Sequence, residues 1–221
     1  MSNKLTTGKV ESQPQLNTML VVKKVLFIAC LLLMQAASAP KTILFFGDSL
    51  TAGYGSSPEE AFPALIERQF NRQTNKVKIV NAGVSGETSA GGLGRIDWVL
   101  KQPVDIFVLE LGANDGLRGL PVASTRKNLQ AIIDKVKSKY PNTKIVLAGM
   151  MVPPNMGVDY AENFKKMFPE LASKNNLTLM PFLLDGVAGN PKLNIADGIH
   201  PNPTGHKIIA DNLYKILEKL I

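Results

Sequence analysis

Thr42-Ile43-Leu44-Phe45-Phe46-Gly47-Asp48-Ser49-Leu50-Thr51-Ala52-Gly53-Tyr54 decides how the rest of the chain is read. The unbroken apolar run Ile43 to Phe46 stops at Gly47-Asp48-Ser49-Leu50. A short continuous apolar run bounded by turn residues suits a strand covered on both faces, as in a parallel sheet. In open parallel sheets ligands bind beyond the carboxyl ends of the strands. Ser49 falls at that place on the first strand after the leader, so it is read as the candidate nucleophile of a hydrolase. Such a nucleophile needs a base, a group that orients the base, and donors for a developing oxyanion.

Outward from this stretch, apolar runs and helical stripes alternate. Ala61 to Phe70 has helical spacing, with Pro58-Glu59-Glu60 expected in its first turn. Val77 to Val80 reads as a second strand ending at Asn81-Ala82-Gly83. Thr88 to Leu100 reads as a helix, with Trp98 as a packing residue. Ile106 to Leu111 is a third strand ending at Gly112-Ala113-Asn114-Asp115. Pro121 opens a long helix that Pro141-Asn142 ends. Lys144 to Met150 is a fourth strand, Tyr160 to Ser173 a helix, and Leu177 to Met180 a fifth strand. After an irregular stretch from Phe182 to Ile195, Asn202 caps the last helix and Pro203 starts it. Five strands alternating with helices give an α/β fold, a three-layer α/β/α sandwich. The five-stranded parallel sheet is expected in the flavodoxin-like order 2-1-3-4-5.

The amino-terminal part reads differently. Lys23-Lys24, an apolar run from Val25 to Met34 and Gln-Ala-Ala-Ser-Ala form a secretory signal peptide. The run is shorter than the roughly 20 apolar residues that span a bilayer. Cleavage is expected after Ser38, giving a leader of residues 1–38 and one domain over 39–221, with Met19 as an alternative start. The single cysteine, Cys30, lies in the leader and is preceded by a poor lipidation sequence, so residues 39–221 carry no disulfide. A periplasmic or secreted location follows. The full chain has a net charge of +7, while residues 39–221 hold 21 Lys and Arg against 17 Asp and Glu, or +4. That excess is scattered, which argues against nucleic acid and allows at most transient contact with an anionic lipid surface.

Residues 39–221 hold two histidines. His200 precedes Pro201, which biases it towards extended backbone and off the helix. Asp197, three residues earlier, can fold back onto Nδ1 and leave Nε2 free for the Ser49 proton. His206 lies on the last helix as a surface or packing residue. The Ser49 N–H, the Gly83 N–H and the Asn114 side-chain amide are the candidate oxyanion donors. Asp48 is read as a turn former, and Asp115 either orients Asn114 or closes its loop. Met150 and Met151 with Val152, Pro153 and Pro154 either wall an acyl groove or pack under the loop.

Four blocks carry a family resemblance: Gly47-Asp48-Ser49-Leu50, Gly83, Gly112-Ala113-Asn114-Asp115 and Asp197-Gly198-Ile199-His200-Pro201. In this order they resemble the GDSL, or SGNH, hydrolase family, and its periplasmic thioesterase I, lysophospholipase and arylesterase branch. The resemblance implies Ser49, Gly83, Asn114 and His200 as the four residues that name the family, with Asp197 completing a triad. It implies an enzyme that cleaves esters or thioesters through an acyl-enzyme; no cofactor and a monomer are expected, and two histidines with no cysteine in 39–221 argue against a zinc site. It also implies acyl-chain contacts along Asp115 to Pro121, with Asp115, Leu117 and Pro153 as tentative substrate contacts. Ala113 stands where that branch usually has Gly. A carbohydrate acetyl esterase of the same fold, an acyltransferase and a non-catalytic binding module are the rival readings. The chain lacks the Gly-x-Ser-x-Gly elbow and the Gly-x-x-x-x-Gly-Lys-Ser/Thr loop, which argues against an ordinary α/β-hydrolase and a nucleotide hydrolase.

Overall fold

Strand β1 spans Lys41–Gly47, and from Ile43 onward every residue of it is buried. β3, Ile106–Glu110, is buried throughout. Burial on both faces is what an uninterrupted apolar run demands. The other strands are β2 (Val77–Gly83), β4 (Lys144–Ala148) and β5 (Thr178–Met180). All pairings are parallel, and the spatial order is β2-β1-β3-β4-β5. The structure is a computed structural model, and it describes Met1, Lys23, Lys24 and residues 39–73 and 76–221. The expected signal peptide, its expected cleavage position and Cys30 fall on 1–38 and, apart from Met1, Lys23 and Lys24, lie outside the described residues.

Among the described residues of 40–221, seven α-helices follow in chain order. They are α1 (Ser49–Ala52), α2 (Phe62–Asn71), α3 (Ser89–Val99), α4 (Ala113–Leu117), α5 (Val122–Lys139), α6 (Val158–Asn175) and α7 (Pro203–Leu217). α2 packs on α7, while α3 packs on α5 and α5 on α6. With right-handed crossovers these become the two outer layers of a three-layer sandwich. Between them lies one core that includes Phe45, Phe46, Phe62, Phe107, Phe164 and Phe168.

Two local readings are corrected. Pro58-Glu59-Glu60 forms a turn before α2 rather than its first turn, because Ala61 is the cap and Pro63 enters the helix next. Trp98 is not a core residue: it is 69% exposed, with the Lys101 ammonium 5.6 Å from its ring centre. The buried residues of α3 are Ser89, Gly92 and Ile96. At about 100° per residue, a side chain two positions past Ile96 points away from that stripe.

His206 is fully buried and stacks near Phe62 at 6.1 Å, with no partner for either ring nitrogen among the described residues. Burial pushes its imidazole down to about 4, against a weaker upward pull from Glu60. The neutral ring is therefore favoured in the folded state. Stability is complete above the ordinary value of 6.5 and falls as pH drops from there towards 4. The loss reaches at most about 3 kcal/mol at about 1.4 kcal/mol per pH unit. His206→Leu should blunt the fall in melting temperature between neutral pH and pH 4.5; melting curves at the two pH values for both proteins check this.

Candidate active site

The sheet register brings three loops to one edge. Gly47, the last residue of β1, pairs with Gly83 of β2 and Glu110 of β3. The next residue, Asp48, caps α1: its Oδ1 accepts the Leu50 N–H at 3.0 Å. Ser49 is thus the first residue of a one-turn helix, 9% exposed, and its N–H has no protein acceptor among the described residues. An unpaired N–H at a helix start is suited to an anion. Gly53 ends the turn in the left-handed region at φ 80°.

His200 reaches Ser49 from the loop before α7. That loop is held by the Ile195 N–H to the His200 carbonyl at 2.8 Å, the Asn202 N–H to the Leu193 carbonyl at 2.9 Å, and the bridge between Asn194 and Pro201. The Asn202 side chain caps α7 through the Thr204 and Gly205 N–H groups. His200 Nε2 lies 2.9 Å from Ser49 Oγ, and His200 Nδ1 lies 2.6 Å from Asp197 Oδ2. Asp197 Oδ1 also accepts the Ile199 and His200 N–H groups, each at 3.0 Å. Partial burial pushes the Asp197 carboxyl up, but these hydrogen bonds outweigh it and hold the group below the usual carboxylate range. An ionised Asp197 keeps the proton on Nδ1, so Nε2 is the acceptor that faces the serine. The Tyr54 ring packs on the His200 ring at 4.7 Å.

Asn114 sits at the start of α4, where Gly112 takes φ 116° to turn the chain out of β3. Its Nδ2 donates to Asp48 Oδ2 at 3.1 Å. One amide hydrogen therefore fixes the side chain and the second remains for a ligand. Asp48 does more than form a turn, because its carboxyl locks α1 and Asn114 together. Burial pushes that carboxyl up to about 6, opposed by the hydrogen bonds from the Leu50 N–H and Asn114 and by His200.

Two expectations change at this edge. The Gly83 N–H donates to Asn81 Oδ1 at 3.0 Å, and a β-carbon on Gly83 would lie 2.3 Å from the Ala52 nitrogen. Gly83 is thus a packing glycine beneath α1. On the loop that follows, the Gly86 N–H has no acceptor among the described residues, in a turn closed by the Glu87 N–H to the Val84 carbonyl at 3.1 Å. Gly86 takes φ 79°, and its carbonyl accepts from Arg118 Nη2 at 2.9 Å. The Ser85-Gly86-Glu87 turn was the sequence signal, hidden behind the nearer Asn-Ala-Gly. Asp115 is 2% exposed, and its carboxyl accepts from Ser89 N at 2.7 Å, Ser89 Oγ at 2.5 Å and Thr125 Oγ1 at 3.2 Å. It braces α4 against α3 and α5 and closes its loop, with its carboxyl taken up by these contacts. Met150 is in the core, whereas Met151 is exposed.

Leu117, Leu120, Met151, Val158, Ile199 and Tyr54 are large apolar residues left exposed, and Pro153 is exposed with them. Two surface hollows of about 440 and 380 Å³ lie elsewhere, around Lys144 and Asn176 and around Arg126 and Lys174.

A serine, a histidine and a carboxylate in hydrogen-bonded series on a parallel sheet of this order define a hydrolase site. The family described as GDSL-like Lipase/Acylhydrolase matches residues 45–208, and the chain belongs to it. Esterase TesA of Pseudomonas aeruginosa is 35% identical over 195 residues, covering 88% of this chain and 96% of that protein. Thioesterase 1/protease 1/lysophospholipase L1 of Escherichia coli is 39% identical over 196 residues, covering 88% and 92%. The psychrotrophic esterase EstA from Pseudoalteromonas sp. superposes with a TM-score of 0.77 at 36% identity, over 81% of this chain and 97% of that one. The chain is thus an acylhydrolase that acts on esters.

Proposed function

We propose that the chain is an exported serine hydrolase that cleaves carboxylic esters and thioesters through an acyl-enzyme. The observation that carries the reading is the 2.9 Å approach of His200 Nε2 to Ser49 Oγ, with Asp197 on the other ring nitrogen. Nε2 takes the Ser49 proton as Oγ attacks the acyl carbon, and the imidazolium then gives that proton to the leaving alcohol or thiol. Water, activated by the same nitrogen, attacks the acyl-enzyme and releases the acid and Ser49. The oxyanion of each tetrahedral intermediate is received by the Ser49 N–H, the free Asn114 amide hydrogen and the Gly86 N–H, which takes the role first given to Gly83. Asn114→Ala should lower kcat by about 10²- to 10³-fold with little change in KM, and Gly86→Ala should act in the same direction.

Aryl esters, acyl thioesters and lysophospholipids are the substrate classes assigned. The names of the relatives and the exposed apolar residues, including Leu117 and Pro153, support this, since exposed apolar side chains can accommodate acyl chains and touch lipid surfaces transiently. Export rests on Lys23-Lys24, the short apolar run and the small residues before Pro40. The inhibition of the EstA relative by monoethylphosphonate supports a covalent serine mechanism. The test is a fluorophosphonate probe followed by mass spectrometry, together with a panel of p-nitrophenyl esters, an acyl-CoA and a lysophospholipid. A label on Ser49 and turnover of the panel are expected; a protein that neither labels nor hydrolyses would refute the reading.

A further inference from the structure

Directly beneath the nucleophile turn sits a carboxyl that this chemistry does not use. Glu110, the last residue of β3, is wholly buried. Its Oε2 accepts the Asp48 N–H at 3.1 Å and the Thr51 hydroxyl at 2.7 Å. Its Oε1 has no partner among the described residues. A β-carbon on Gly47 would lie 2.4 Å from Oε2, so glycine at the end of β1 is what lets the carboxyl fit under the turn.

No lysine or arginine among the described residues pairs with Glu110; the charge that bears on it is that of Asp48, across the turn. His200 in turn acts on Asp48. Thr51, on α1, is uncharged. An ionised Glu110 would bury an anion beside a second carboxyl, with one oxygen facing no donor, and such a charge is expensive to bury. A proton on Oε1 removes the charge, and Oε2 keeps both of its donors.

We propose that Glu110 is a positioning residue that works as a neutral acid, fastening the turn that carries Ser49 and, through Asp48, the Asn114 amide. The inference rests on the serine-hydrolase reading above. The contact on the Asp48 N–H sets the direction in which the chain enters α1, and the contact on Thr51 holds the same turn from within. Asp48 passes the same constraint to Asn114 through Oδ2. The nucleophile and an oxyanion donor therefore share one buried support on the strand between β1 and β4.

Burial, followed by the charge of Asp48, holds the Glu110 carboxyl well above its ordinary value of 4.5. A carboxyl raised in the folded state contributes its stability below the unfolded value and loses it as pH rises through the folded one. Glu110→Gln, which cannot ionise, escapes that loss. It should keep wild-type kcat and melt above wild type by a margin larger at about pH 8 than at about pH 5. Glu110→Ala should lose about a hundredfold in kcat with KM unchanged, as expected for a misplaced reacting group.

The experiment measures kcat and KM on a p-nitrophenyl ester for both variants, and melting temperature across that pH range. Glu110→Gln crippled like Glu110→Ala, a melting margin that is flat or narrows with pH, or Glu110→Ala with wild-type kcat would each overturn the proposal. If Glu110→Ala does not fold, the Glu110→Gln kinetics and melts decide alone. Ser49→Ala in the same assay separates the two claims. Undiminished turnover in that variant sinks the hydrolase mechanism, whereas an inactive Ser49→Ala beside a fully active Glu110→Ala sinks only the role of Glu110.

Discussion

Ser49→Ala is expected to lower kcat on a p-nitrophenyl ester by about 10⁶-fold, the size of loss that follows when a nucleophile acting as a unit with its base is removed. The fold should be unaffected. The Ser49 hydroxyl bonds to His200 and to no other described side chain, and alanine suits the start of a helical turn at least as well as serine. The melting temperature should therefore stay within a degree or two of wild type, given that about 1 kcal/mol moves it by a few degrees at this size. Residual turnover would come from the oxyanion donors and binding alone. Steady-state hydrolysis with a melting curve on the same preparation checks both halves. Activity within tenfold of wild type would remove Ser49 from the chemistry.

Asp197→Asn should cost up to about 10⁴-fold in kcat, by a different route. An asparagine oxygen can still accept the Ile199 and His200 N–H groups, so the loop should stay in place. Its amide, however, would face Nδ1 with a donor. The ring must then place its proton on Nε2, where it can no longer accept from Ser49. Exposure tempers the effect: the Asp197 side chain is 35% exposed, so water can partly restore the working tautomer. Stability should move less and in a known sense. Asp197 is held below its ordinary value of 3.8, so the stability it contributes is present above that value and lost as pH falls through the lower one. The variant should accordingly resemble wild type at low pH and be the weaker protein near neutrality. Pre-steady-state kinetics on an aryl ester locate the loss: acylation should slow as well as deacylation, since both use Nε2. A variant that loses only substrate affinity would contradict this role.

Much of the architecture follows from residue order. Ile43 to Phe46 and Ile106 to Leu109 are apolar without interruption, so they require cover on both faces and read as central parallel strands. Asn202-Pro203 reads as a helix start because cap chemistry is local, and the structure places it there. Readings weaken where an outcome depends on what a side chain meets in space. Trp98 lies among apolar residues in the sequence, but its angular position on α3 turns it to solvent. Asp115 follows Asn114 directly, yet it points into the α3–α5 interface while Asn114 points to Asp48. Glu110 escaped notice because an acidic residue at a strand end is unremarkable until its burial is known.

Residue order is enough to set the alternation of strands and helices, the loops that gather at one sheet edge, and the pairing of Asp197 with His200. These are consequences of periodicity, turn chemistry and short spacing along the chain. The tertiary structure alone decided that Gly86 rather than Gly83 has an unpaired N–H, that Asp48 and Asn114 are joined, and that Glu110 lies under the turn. The physical reason is that a donor's availability depends on which acceptor the packed fold brings within about 3 Å, and residues distant in sequence supply most of those acceptors.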